Sequence, residues 1–127
     1  MRIQELNTYI VLFSNDRVLL LKRPNGLWEF PGGAVEWGES PESCVVREAK
    51  EETGLNATSI ALVGTTSATY PKGDDQKHSV YIVYRGLAPS EEVALSGEHT
   101  EYRWLNLMEA KFLKPMALNA EDVLSNL

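Results

Sequence analysis

The chain has 127 residues, a length that suits one domain able to bury a core without disulfides or a structural metal. With 43% apolar and 24% charged residues it reads as soluble and globular, and no apolar run approaches the roughly 18 residues of a membrane span. A formal net charge of −6 argues against nucleic-acid polymers as partners, and the single Cys44 excludes an internal disulfide or a clustered Cys/His zinc site. The opening "MRIQELNTYIVLF" lacks the continuous apolar stretch and cleavage site of a secretory signal, so a cytoplasmic location is expected.

In chain order, Thr8–Ser14 and Arg17–Arg23 are β-rich runs separated by Asn15-Asp16, which predicts a hairpin. Pro24–Gly26 is a second turn, and "LWEF" leads into the break Pro31-Gly32-Gly33. "AVEW" reads as a short strand. Ser40 can cap a helix that Pro41 starts and Gly54 stops, with Val45, Val46, Ala49 and Thr53 facing inward. Ser59–Tyr70 and His78–Ala88 are strand patterns around a polar turn, Pro71–Lys77. A polar loop, "PSEEVALSGEHTE", precedes the short strand "YRWLNL", and two helical segments flank Pro115. No repeat, linker or low-complexity tract divides residues 1–127, so one mixed α/β domain is expected.

The dense feature is the helix. Glu48, Glu51 and Glu52 stand at i, i+3 and i+4, so they share a face and repel one another. One reading is a solvated acidic surface. The other is a site for a hard divalent cation such as Mg²⁺, which favours carboxylate oxygens and substrate phosphates. Cys44, on the same helix among apolar neighbours, reads as a buried inert thiol.

The surroundings of those glutamates carry a resemblance. Gly33, Glu39, Arg47, Glu48, Ala49, Glu51, Glu52, Gly54 and Leu55 reproduce the signature of the Nudix hydrolases over the 23 residues Gly33–Leu55, and "WEFPGG" before it is similar to MutT-like members. The resemblance implies a mixed β-sheet between helices, an α/β/α Nudix fold with the box as a loop–helix–loop. It also implies hydrolysis of a diphosphate linkage in a nucleoside diphosphate derivative, with Mg²⁺ or Mn²⁺. By the same resemblance the metal ligands are Glu48, Glu51, Glu52 and the carbonyl of Gly32, with Arg47 orienting the glutamates. Glu39 holds the loop or serves as an outer ligand. The general base is a box glutamate or a loop acid; Glu98, six residues before Trp104 as in MutT-like members, is preferred to Glu101.

Arg23, Glu29, Tyr70 and Tyr81 are the candidate substrate contacts, with core packing as the alternative for the aromatics, Trp28 and Phe30 included. His78 and His99 receive no catalytic role. "KRPNGLWEFPGG" is similar to MutT-like nucleoside triphosphate pyrophosphohydrolases, whereas Pro71, sixteen residues after Leu55, resembles a proline of the ADP-ribose pyrophosphatases or simply begins a turn. The motifs of the coenzyme A and NADH members are absent, and Asn119 lies in the general region of the asparagine with which MutT-like enzymes read guanine. A nucleotide-sensing module without activity is the alternative of another class. Many relatives are dimers, so a homodimer is an expectation as well.

Overall fold

A computed structural model describes residues 1–127. A continuous β-prone run, buried from Asn7 to Leu12, anchors β1, a strand of thirteen residues (Arg2–Ser14) that begins well before the expected Thr8. The turn at Asn15-Asp16 returns the chain as β2 (Arg17–Lys22). Two short strands follow, β3 (Trp28–Glu29) and β4 (Gly32–Ala34), so the strand expected at "AVEW" lies instead on the glycines before it. Helix α1 spans Pro41–Thr53. The hairpin β5 (Thr58–Lys72) and β6 (Asp75–Leu87) comes next, then β7 (Glu101–Asn106), α2 (Leu107–Phe112) and α3 (Leu118–Ser125).

The β5–β6 turn is only Gly73-Asp74: the polar residues expected as a seven-residue turn continue the two strands, paired from Pro71↔Gln76 to Lys72↔Asp75. Alternation along a hairpin permits polar residues on a solvated face, so polarity alone overstated the turn. The last helix is likewise shorter than the segment read for it.

The seven strands form one mixed sheet in the order β3-β2-β1-β6-β5, with β4 on β1 and β7 on β2. β1 and β6 run parallel from Arg2↔Gln76 to Phe13↔Leu87, and the other pairings are antiparallel. Because side chains alternate across a strand, β1 and β2 feed two cores. Tyr9, Val11, Val18 and Leu20 pack with Trp28, Phe30 and the apolar residues of α2 and α3. Ile10, Leu12, Leu19 and Leu21 pack on the opposite face against Val45, Ala49 and Leu55. The sheet therefore lies between helices, as expected. No helix is long and apolar enough to cross a membrane.

α1 is built as its sequence dictates. The Ser40 hydroxyl accepts from the Ser43 amide at 3.1 Å, Pro41 opens the first turn, and Gly54 closes the last turn in the left-handed region at φ 76°. Its buried residues are Cys44, Val45, Ala49, Glu52 and Thr53. Val46, expected to face inward, is 36% exposed, and Glu52 takes the buried face in its place. An apolar-periodicity reading cannot anticipate a buried carboxylate, because that carboxylate is held by groups distant in sequence.

Candidate active site

Five parts of the chain meet at one cavity of about 430 Å³. The β2–β3 turn gives Arg23, β3 and β4 give Glu29, Gly32 and Gly33, α1 gives Glu52, β6 gives Tyr81, and the loop before β7 gives Glu98 and His99. Arg47, Glu48 and Glu51 lie beside it on α1 rather than in its lining. Glu101 lies elsewhere: it pairs with Lys22 in the sheet and with the Lys22 and Arg103 side chains.

Gly32 makes the close approach of β4 to β1 possible. A Cβ at that position would lie 1.9 Å from the carbonyl oxygen of Thr8 on β1, so only glycine fits. Its amide donates to Glu52 Oε1 at 2.8 Å. Gly33 instead meets the helix, for a Cβ there would lie 2.6 Å from Cδ of Glu48.

Arg47 organises the exposed side of the helix. Its Nε and Nη2 donate to Glu39 at 2.7 and 3.0 Å, and Nη1 donates to Glu48 at 2.9 Å and Glu51 at 3.2 Å. The hydrogen bonds from Arg47 hold Glu39 down at about 2. Glu39 thus clamps the arginine from the loop before the helix.

Glu52 is 3% exposed. Burial, followed by the negative charges of Glu29, Glu48 and Glu98, pushes its carboxyl up to about 9, against the pull of the Gly32 amide. Glu29 behaves oppositely. Burial raises it, but hydrogen bonds from His99 and Arg23 prevail and its carboxyl is lowered. Arg23 Nη2 donates to Glu29 Oε1 at 2.7 Å, and the Tyr9 hydroxyl reaches the same oxygen at 3.1 Å. Cys44 touches Thr8 and the Ala34 carbonyl, and burial raises its thiol.

A second cleft of about 280 Å³ adjoins the first, and Arg23 and Tyr81 line both. Its other walls include Tyr70, Ser79, Leu118 and Asn119, with the Tyr70 and Ser79 hydroxyls 3.1 Å apart. Tyr70 lies outside the carboxylate cavity, whereas Tyr81, stacked on Tyr9 at 4.1 Å, stands at the junction. Trp28 and Phe30 are core residues. Pro71 is exposed on β5 and lines neither space.

The NUDIX domain family model matches residues 4–127. The chain belongs to the Nudix family. It is 41% identical over 78 residues to the ADP-ribose pyrophosphatase of Methanocaldococcus jannaschii, covering 58% of this chain and 45% of that protein. It is 34% identical over 67 residues to the 8-oxo-dGTP diphosphatase of Proteus vulgaris, covering 49% of this chain and 60% of that one. The chain thus spans about half the length of these curated relatives. The crystal structure of a MutT NUDIX hydrolase from Burkholderia pseudomallei superposes with a TM-score of 0.82 at 26% identity, covering 98% of both chains.

The Nudix box presents the donor chemistry of a hard cation: Glu48, Glu51 and Glu52 on one helix, beside the backbone of Gly32 and Gly33. No three acidic, imidazole or thiol groups converge as a finished ligand sphere. Arg47 holds Glu48 and Glu51, while the Gly32 amide holds Glu52. The buried Glu52, faced by three further carboxylates, nevertheless marks a place short of positive charge, which a divalent cation fits.

Sequence reasoning missed His99 and Tyr9 as members of this site. The position of His99 beside Glu98 was the one available hint. Nothing in the pattern of β1 distinguishes Tyr9 from its apolar neighbours.

Proposed function

We propose that the chain is a divalent-cation-dependent pyrophosphohydrolase of nucleoside triphosphates, cleaving them to a monophosphate and pyrophosphate, with residues 1–127 acting as one catalytic unit. The observation that carries this reading is the pair of adjoining spaces joined by Arg23 and Tyr81. The acid-lined space suits phosphates that arrive with a cation. The aromatic cleft beside it suits a base, with Tyr70 and Tyr81 available to stack and Asn119 to hydrogen-bond.

Glu48, Glu51, Glu52 and the carbonyl of Gly32 are the groups to hold the cation, Mg²⁺ or Mn²⁺. Bound there, it supplies Lewis-acid neutralisation of the diphosphate and lowers the pKa of a water. Arg47 fixes the directions of Glu48 and Glu51. Arg23, oriented by Glu29, keeps guanidinium donors free for phosphate oxygens. Glu98 takes the proton from the water that attacks phosphorus, and the bond to the leaving phosphate oxygen breaks. Relatives acting on ADP-ribose and on 8-oxo-dGTP both support the diphosphate chemistry. The MutT-like choice rests on "WEFPGG" and on Asn119 lying in the cleft.

Product analysis with Mg²⁺ on 8-oxo-dGTP and ADP-ribose tests the reading. Monophosphate and pyrophosphate from the first is the expected result. AMP and ribose 5-phosphate from the second alone would replace it with a nucleotide-sugar pyrophosphatase. Tight nucleotide binding with no product from any cation would make the chain a sensing module. Self-association as a homodimer is part of the same reading, and sedimentation velocity tests it.

A further inference from the structure

His99 is the only buried residue between Gly86 and Ala110, the rest of that stretch being partly or fully exposed. Its side chain is 4% exposed and stands between two acids of the site. Nε2 lies 2.9 Å from Glu29 Oε2. Nδ1 has no hydrogen-bond partner and lies 3.7 Å from Glu52 Oε2. A buried nitrogen left unpaired is destabilising, and a small movement of either side chain would bring it into hydrogen-bond range of Glu52.

The neighbours on each side give this placement meaning. On one side Glu29 also receives Arg23 and the Tyr9 hydroxyl through its other oxygen. On the other side Glu52 is held through Oε1 by the Gly32 amide, which leaves Oε2 as the oxygen still to be directed. One line of groups therefore runs from Arg23 through Glu29, His99 and Glu52 to the backbone of Gly32. Resting on the function proposed above, we infer that His99 is a positioning residue: its imidazole directs the free oxygen of Glu52 and braces Glu29, so that the cation side and the phosphate side of the site keep one register.

The two ring nitrogens are separable by mutation. In His99→Gln the amide takes the place of Nε2 and keeps the bond to Glu29 while losing the group facing Glu52. In His99→Asn the amide takes the place of Nδ1 and the bond to Glu29 is lost. The test is Mn²⁺ binding to the substrate-free protein by electron paramagnetic resonance, with thermal melts and with kcat and KM on 8-oxo-dGTP. His99→Gln is expected to weaken Mn²⁺ by about 10–100-fold, the usual effect of removing a group that orients a ligand, with KM little changed. His99→Asn is expected to restore most of the Mn²⁺ affinity and to raise KM instead.

Wild-type Mn²⁺ affinity in both variants overturns the assignment. So do equal losses in both, or loss of a cooperative melt in both, which identify a plain anchor for the loop. A wild-type protein that binds no Mn²⁺ overturns the hydrolase reading itself, whereas tight wild-type binding with unmoved variants overturns only the role of His99.

Discussion

Arg47 and Glu39 are joined by two hydrogen bonds, Nε to Oε2 at 2.7 Å and Nη2 to Oε1 at 3.0 Å, so the arginine's fork is fixed before it reaches Glu48 and Glu51. A lysine keeps the charge but cannot span three carboxylates with a planar fork. Arg47→Lys is therefore expected to lower kcat/KM by about 10–100-fold through misdirected glutamates. A circular-dichroism spectrum like that of the wild type, measured alongside the kinetics, separates this from unfolding.

Glu52 gives a pH dependence with a definite sign. Its folded-state carboxyl sits at about 9 against an ordinary 4.5, so the folded protein holds that proton more tightly than the unfolded chain. The contribution to stability is fully present below 4.5 and is lost as pH rises through about 9. Calorimetry of the metal-free protein is expected to show Tm falling across that window, and Glu52→Gln to flatten the slope. Added Mg²⁺ takes over from the proton and is expected to raise Tm most at the alkaline end.

The two box glycines fail in different ways. In Gly32→Ala the new methyl meets the backbone of Thr8, which cannot yield, so a loss of about 1–3 kcal/mol or more is expected from urea unfolding. In Gly33→Ala the methyl meets the flexible carboxyl of Glu48. That variant is expected to melt like the wild type and to bind Mn²⁺ more weakly. Equal melting of both variants would contradict the steric account.

Glu98 and Glu101 are separated by the fold, one in the cavity wall and the other in the sheet beside Lys22. Glu98→Gln is expected to cost about 10²–10⁴ in kcat if it is the base, with Glu101→Gln close to wild type. The reverse ranking in steady-state kinetics would reassign the proton acceptor to the β7 side.

Much of this was legible before any coordinates. The cap at Ser40, the stop at Gly54 and the β-prone runs of β1, β2, β5 and β6 are local signals, and local physics produced those elements. The box pattern placed the three glutamates on one helix, where Glu48 and Glu51 lie on the Arg47 side while Glu52 turns to the buried face. What stayed hidden was non-local. Glu52 is buried because β4 brings the Gly32 amide to it, and His99 turns inward to meet Glu29, which lies seventy residues earlier. The strand at Gly32–Ala34 was obscured for a similar reason: its pairing with β1 outweighs the poor strand propensity of glycine.

The parallel union of β1 with β6 also governs when the protein can fold. Arg2 pairs with Gln76, and the same separation recurs along the ladder to Phe13 and Leu87. Contacts that distant in sequence close late and slow the search, whereas the β1–β2 hairpin and α1 can form from neighbours. During synthesis the first strand therefore waits with one long edge open until β6 has left the ribosome. β4 hangs on the other edge of that same strand through pairs much closer in sequence, so the cradle around Gly32 does not have to wait for β6.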